Sequence, residues 1–360
     1  MIIFSGIQPT GRKHLGNYIG AILQWVKDQD RGDPAIYCIV DLHATTVAYD
    51  PAELRARTHD TAALLLAAGL VSPERCILFR QGDVPEHTEL TWLLSSVTSV
   101  GELQRMHQFR DKSLAQRERV SAGLLYYPVL MAADVLVYRA HEVPVGEDQR
   151  EHIEIMRRIA ENFNRRFGET LVVPEGNIPK VGARILDLQD PSTKMSTSSE
   201  SAKGRIYVDE EPDSIVEKFK SAQTDSGSEI VRAPDKPGIT NLIEILATVR
   251  DTSPEDVERD FAGSGYGAFK VAVGEEVADW LAPVRAAYLE LRDDVDRIED
   301  ILEAGAEKAK AIAAGVVADV REVMGVGPPA SRQAARHRLR REEPNGAGAP
   351  RLDRSVGPAA

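Results

Sequence analysis

The chain has 360 residues, 42% hydrophobic and 28% charged, with 44 Lys and Arg against 56 Asp and Glu and a formal net charge of -12. That length allows two domains with substantial cores, and the composition is that of an ordinary soluble globular protein. The acidic balance excludes a chain that grips nucleic acid through a general basic surface, so any such contact has to be local.

Residues 2–5 form a short apolar segment expected to be a strand, running directly into a turn-rich loop over 6–11. A helix follows, with Ile19, Ile22, Leu23 and Val26 on one face at helical spacing. Residues 35–40 read as a buried strand, 53–68 as a helix opened by Pro51, and 76–79 as a third strand. Residues 143–145 give a fourth strand, with a helix over 149–167 after it. Strands alternating with helices at this interval point to βαβ units and an α/β fold with a doubly wound parallel sheet. Ligands then belong at the carboxyl ends of strands, where the loops 6–11 and 146–148 sit.

Beyond about residue 193 the character changes. Residues 196–203 are polar, and helical periodicity recurs over 213–220, 241–250, 254–261, 269–293 and 304–323, which reads as a second, all-helical domain. Residues 331–360 carry seven Arg against three acids among Pro, Gly and Ala, the composition of a disordered tail. Cys38 and Cys76 lie in apolar segments (AIYCIVD and ERCILF) away from any CxxC pairing, so buried free thiols and a reducing, cytoplasmic compartment are expected. The start MIIFSGIQP lacks the basic region and apolar length of a signal peptide, and no stretch approaches the length of a membrane span.

Two segments carry chemistry. Gln8-Pro9-Thr10-Gly11-Arg12-Lys13-His14-Leu15-Gly16-Asn17 is a strand-to-helix loop with glycines where backbone must approach a ligand closely. His14 and Asn17, three residues apart at a helix start, are expected to point at one phosphate beside the positive helix end. Lys194-Met195-Ser196-Thr197-Ser198 offers a lysine, hydroxyls and backbone amides as a clamp for a polyphosphate. In this order and about 180 residues apart, HLGN and KMSTS resemble the HIGH and KMSKS signatures of class I aminoacyl-tRNA synthetases. Asn17 stands in place of a histidine, and Thr197 in place of the usual second lysine.

The branch rests on further stretches: FSGIQPTG at 4–11, YYPVLMAADVLVY at 126–138, VPVGEDQREHIE at 143–154 and IPKVGARI at 178–185. They resemble the bacterial tryptophanyl-tRNA synthetases, over residues 1–326 or so. The resemblance implies a Rossmann-like catalytic domain at 1–192 for ATP and tryptophan, the signature loop and linker at 193–204, and a helical anticodon-binding domain at 205–292. It further implies C-terminal helices at 293–326 packing back on the catalytic domain, before the tail at 327–360. Indole offers one N–H on a large apolar body, so its site should be an apolar slot with a single acceptor. Met131 and Asp134, at i and i+3 on one helix face, fit that demand.

The resemblance assigns Asp134 to the indole N–H and Met131 to the ring, with Phe4, Gly6, Val143 and Val145 as walls and His43, Tyr127 and Gln149 near the substrates. It assigns Gln8, Pro9, Thr10, Gly16, Asn17, Gly146, Glu147, Asp148 and Ile185 to ATP, together with Lys194, Met195, Ser196, Thr197 and Ser198. His14, Asn17, Lys112, Lys194 and Ser196 would carry the catalytic charge work. The implied partners are L-tryptophan, ATP, tRNA(Trp) and a second copy of the chain in a homodimer. Mg²⁺ would be carried by ATP, without a protein metal site. Three alternatives stand beside this reading. A tyrosyl-type synthetase would be expected to place Gln near position 131. A non-catalytic synthetase-like paralogue binding tryptophan or RNA would have lost signature residues. A short nucleotidyltransferase of the same superfamily would lack the helical region.

Overall fold

A computed structural model describes residues 1–72, 74–107, 109–110, 121–146, 149–177, 185–196 and 201–328. Five strands, β1 (Ile3–Ile7), β2 (Ala35–Ile39), β3 (Ile77–Arg80), β4 (Glu142–Pro144) and β5 (Glu175–Asn177), form one parallel sheet in the order β3-β2-β1-β4-β5. This is the doubly wound arrangement, and its order reverses between β1 and β4. At that switch point the two strand ends diverge and leave a crevice for ligands.

β2 is buried along its whole length, which explains its unbroken apolar run. β1 extends to Ile7, two residues beyond the strand expected from the apolar segment alone. Gly6 still pairs with Cys38, and a Cβ there would sit 3.0 Å from the Val40 side chain, so the glycine permits the strand to continue. β5 has only exposed residues and no apolar signal, and it escaped the sequence reading for that reason.

The helix after β1 departs from simple periodicity. α1 (Leu15–Asn17) passes through a π-turn at Tyr18–Ile22 into α2 (Leu23–Asp28). The wider turn shifts the phase, so Tyr18, Ile19, Ile22 and Trp25 are buried while Leu23 and Val26 are half-buried. Trp25 stacks on Tyr37 of β2 at 4.7 Å, and the Tyr37 hydroxyl donates to the Trp25 carbonyl.

Further helices follow in chain order: α3 (Asp41–Ala44), α4 (Pro51–Ala67), α5 (Glu86–Leu94), α6 (Val100–Arg105), α7 (Ala122–Leu136) and α8 (Arg150–Phe167). α4 opens as the sequence indicates, with Pro51 at its start and the Asp50 carboxylate capping Glu53 N–H. From residue 205 the described chain is helical: α9 (Pro212–Lys220), α10 (Pro237–Arg250), α11 (Pro254–Asp260), α12 (Tyr266–Leu291) and α13 (Val295–Met324). α13 begins nine residues before the expected start, because Ile298 and Leu302 continue its buried stripe.

Met1–Val317 pack as one compact unit, and the described residues 318–328 belong to a second. Within the first unit α13 lies against β3. A Cβ at Gly305 would come within 1.9 Å of the Leu78 carbonyl oxygen, and Glu299 pairs with Arg80 at 2.9 Å. Both cysteines are buried and free, as expected. Among the described residues no helix is long and apolar enough to cross a membrane.

Candidate active site

The crevice at the switch point opens into a pocket of about 510 Å³. The ends of β1 and β4 form its walls, bridged by the Ser5 hydroxyl donating to the Pro144 carbonyl. Phe4, Gly6, Val143 and Val145 face it, and α7 contributes Tyr127, Met131 and Asp134. His43 from α3 and Gln149 just before α8 complete that end. On the other side lie Gln8, Gly16, Asn17, Gly146 and the exposed Lys194.

Asp134 is the electrostatic centre of the apolar end, and it is only 2% exposed. One carboxylate oxygen accepts from Gln81 Nε2 and meets His87 Nδ1, both at 2.6 Å; the other meets His43 Nε2 at 2.8 Å. Burial alone would push this carboxyl up, but the hydrogen bonds from His43 and His87 outweigh it and hold it at about 2. Asp134 is therefore ionised at neutral pH. A carboxylate has about four lone-pair directions, and three are occupied by protein donors. One acceptor position remains.

Gln81 and His87 escaped the sequence reading. They sit in RQGDVPEHTEL, just after β3, and their distance from Asp134 in the chain hides the contact. Polar residues at the carboxyl end of a parallel strand were the available signal. His87 is fixed in turn by the Tyr138 hydroxyl at 2.7 Å. Tyr127 and His152, on the pocket wall, meet at 2.9 Å. Burial, with the Glu151 charge adding to it, pushes the Tyr127 phenol up to about 12.

His14 and Asn17 are not arranged as two side chains aimed at one ligand. His14 caps α1: its Nδ1 accepts from Asn17 N–H and the Asn17 side-chain oxygen accepts from His14 N–H, both at 3.2 Å. The reciprocal cap satisfies helix-end amides, so Asn17 lines the pocket while His14 lies buried behind it. Burial first, and then the charges of Lys194, Lys13 and Arg205, lower the His14 pKa to about 4. The ring is neutral at pH 7, with Nε2–H as its remaining donor. Gly16 lets this turn close, since a Cβ there would lie 3.1 Å from the His14 ring and 3.6 Å from Ile185.

The Lys194 segment is anchored where it begins. Leu186 and Lys194 form an antiparallel bridge, and Met195 N–H donates to the Ile185 carbonyl. Asn241 of α10 clamps Leu186 through both its backbone groups. Ile185 and Met195 have buried core side chains, so toward a ligand they present backbone only. Pro9 is buried, Thr10 exposed and Ser196 half-buried, and none of the three lines the pocket. Lys112, Glu147, Asp148, Thr197 and Ser198 lie outside the described residues, as does the tail from residue 329.

Residues 1–282 match the family described as tRNA synthetases class I (W and Y). The chain is 50% identical over 330 residues to tryptophan--tRNA ligase 2 of Streptomyces avermitilis, covering 91% of this chain and 97% of that one. A crystal structure of tryptophanyl-tRNA synthetase from Mycoplasma pneumoniae superposes with a TM-score of 0.82 at 32% identity, over 91% of this chain and 98% of that one. The Campylobacter jejuni enzyme, solved in complex with ADP and tryptophan, gives 0.75 at 32% identity over 91% of this chain and all of that one. The chain belongs to the class I tRNA synthetases of tryptophan and tyrosine, on the branch of the bacterial tryptophan--tRNA ligases.

Proposed function

We propose that the protein is a tryptophan--tRNA ligase. It activates L-tryptophan with ATP to tryptophanyl-adenylate and pyrophosphate, then transfers tryptophan to tRNA(Trp). The observation that carries this reading is Asp134, ionised, buried and left with one acceptor position at the apolar end of the pocket. Indole supplies one N–H donor to fill it. Met131, Phe4, Gly6, Val143 and Val145 supply the slot around the ring, and Tyr127, His43 and Gln149 border it.

ATP takes the opposite side, against Gln8, Gly16, Asn17, Gly146 and Lys194, with Pro9, Thr10, Ile185, Met195 and Ser196 supporting through backbone or adjacent position. Glu147, Asp148, Thr197 and Ser198 belong to the same assignment by sequence, and Lys112 is the second cation for the phosphates. Mg²⁺ arrives with ATP and neutralises phosphate charge.

The tryptophan carboxylate is already ionised at neutral pH and attacks the α-phosphate without a side-chain base. The work left to the protein is alignment and stabilisation of charge moving to pyrophosphate. Lys194 provides the positive charge. The neutral His14 provides a hydrogen bond and holds the α1 turn on which Asn17 stands. The helical region 205–292 is assigned to the anticodon side of tRNA, 1–192 to catalysis, and 293–326 to helices that return to the catalytic domain. A homodimer in the cytoplasm completes the reading; Trp92 of α5 and Val100 of α6 are exposed apolar side chains that a second copy would cover. Charging of tRNA(Trp) with labelled tryptophan tests the proposal. Formation of tryptophanyl-tRNA is expected; adenylate formation without transfer would reduce the protein to an activating enzyme only.

A further inference from the structure

A second cavity, of about 240 Å³, adjoins the loop that carries Gln8. Four cations line it, Arg12, Lys13, Arg57 and Arg292, against two carboxylates, Asp60 and Asp209. Both acids are engaged: Asp209 holds Arg12 at 2.8 Å, and Asp60 lies 3.7 Å from each of Arg57 and Arg292 and accepts from the Tyr288 hydroxyl. Lys13 is only 7% exposed, and two of its three N–H donors go to the carbonyls of Gln8 and Thr10. Those carbonyls leave a buried ammonium beside a guanidinium without full charge compensation. Burial and the Arg57 charge pull Lys13 down to about 8, with Asp60 offsetting only part of this. Buried charge is ordinarily paired, and a planar guanidinium pair with an ammonium is the donor set that tetrahedral oxyanions favour.

We propose that this cavity binds a small oxyanion of the phosphate class, held by Lys13, Arg57 and Arg292 and separate from the substrate pocket. The anion keeps Lys13 charged, and through the Gln8 and Thr10 carbonyls Lys13 braces the loop on which Gln8 faces that pocket. Inorganic phosphate and the reaction's own pyrophosphate share the required chemistry. The test titrates each, at constant ionic strength near pH 8, into the full-length chain labelled at its lysine side chains. The Lys13 resonance is followed by NMR, assigned by its loss in Lys13→Met. A saturable shift of that resonance with a rise in its apparent pKa is expected from at least one anion, and the tighter of the two identifies the source. Arg57→Gln and Arg292→Gln change partly exposed side chains and leave Lys13 in place; each should weaken the response about tenfold or more. Absence of saturation with both anions overturns the proposal. So does a shift that persists undiminished in both arginine variants, since it would then originate in the substrate pocket.

Discussion

Replacing Asp134 by alanine removes the one carboxylate that, among the described residues, lines the pocket and can accept from an indole N–H. The protein donors His43, Gln81 and His87 take three of the carboxylate's positions, so the substrate bond is the fourth and is made to an ionised group. Stranding the N–H in a buried site costs roughly 1–3 kcal/mol, and bonds to charged groups lie at the upper end of the scale. The expected loss is about 2–4 kcal/mol in kcat/KM for tryptophan, or roughly 30- to 900-fold. The assay is tryptophan-dependent exchange of pyrophosphate into ATP, run in parallel with the isostere of tryptophan that carries sulfur in place of the N–H. Wild type should discriminate against that analogue by a similar factor, and Asp134→Ala should not. The ratio also separates recognition from folding, because three unpaired donors will lower stability for both substrates alike. Equal losses for tryptophan and the analogue would show that Asp134 does not read the indole N–H.

Other consequences follow from single residues. Lys194→Ala should lower kcat for adenylate formation by about 10²-fold, the scale of losing a preorganised charge contact, with the KM for tryptophan little changed; near-normal kcat would remove this loop from the pyrophosphate side. His14 binds a proton in the unfolded chain near pH 6.5 but in the fold only near 4. Stability should therefore fall as pH drops between those values, by on the order of 3 kcal/mol. Urea denaturation of His14→Asn, which keeps a capping side chain, should show a flatter profile there, and an unchanged slope would assign the acid sensitivity elsewhere. Gly305→Ala places a methyl 1.9 Å from the Leu78 carbonyl and should cost about 1–3 kcal/mol or more, read as a lowered Tm; a neutral substitution would mean α13 does not press on β3.

Much of the fold was legible because the signals were local. The apolar run of β2, the Pro51 opening of α4 and the i, i+3 pairing of Met131 with Asp134 each follow from a short stretch of chain. What stayed hidden depends on contacts distant in sequence or on competing local geometry. Gln81 and His87 reach Asp134 across about fifty residues, and no periodicity encodes that meeting. His14 and Asn17 look like two ligand-facing polar groups, yet a helix start with free amides captures both side chains first. The π-turn at Tyr18–Ile22 displaces the buried stripe because one extra residue per turn rotates every later position. β5 has no buried side chain to announce it.

On this assignment the pocket activates tryptophan. Exchange of labelled pyrophosphate into ATP by the full-length chain, with tryptophan and with tyrosine at equal concentration, tests it most directly. Exchange should depend on tryptophan and be smaller by orders of magnitude with tyrosine. Exchange that favours tyrosine, or none with either from a folded protein, would contradict it.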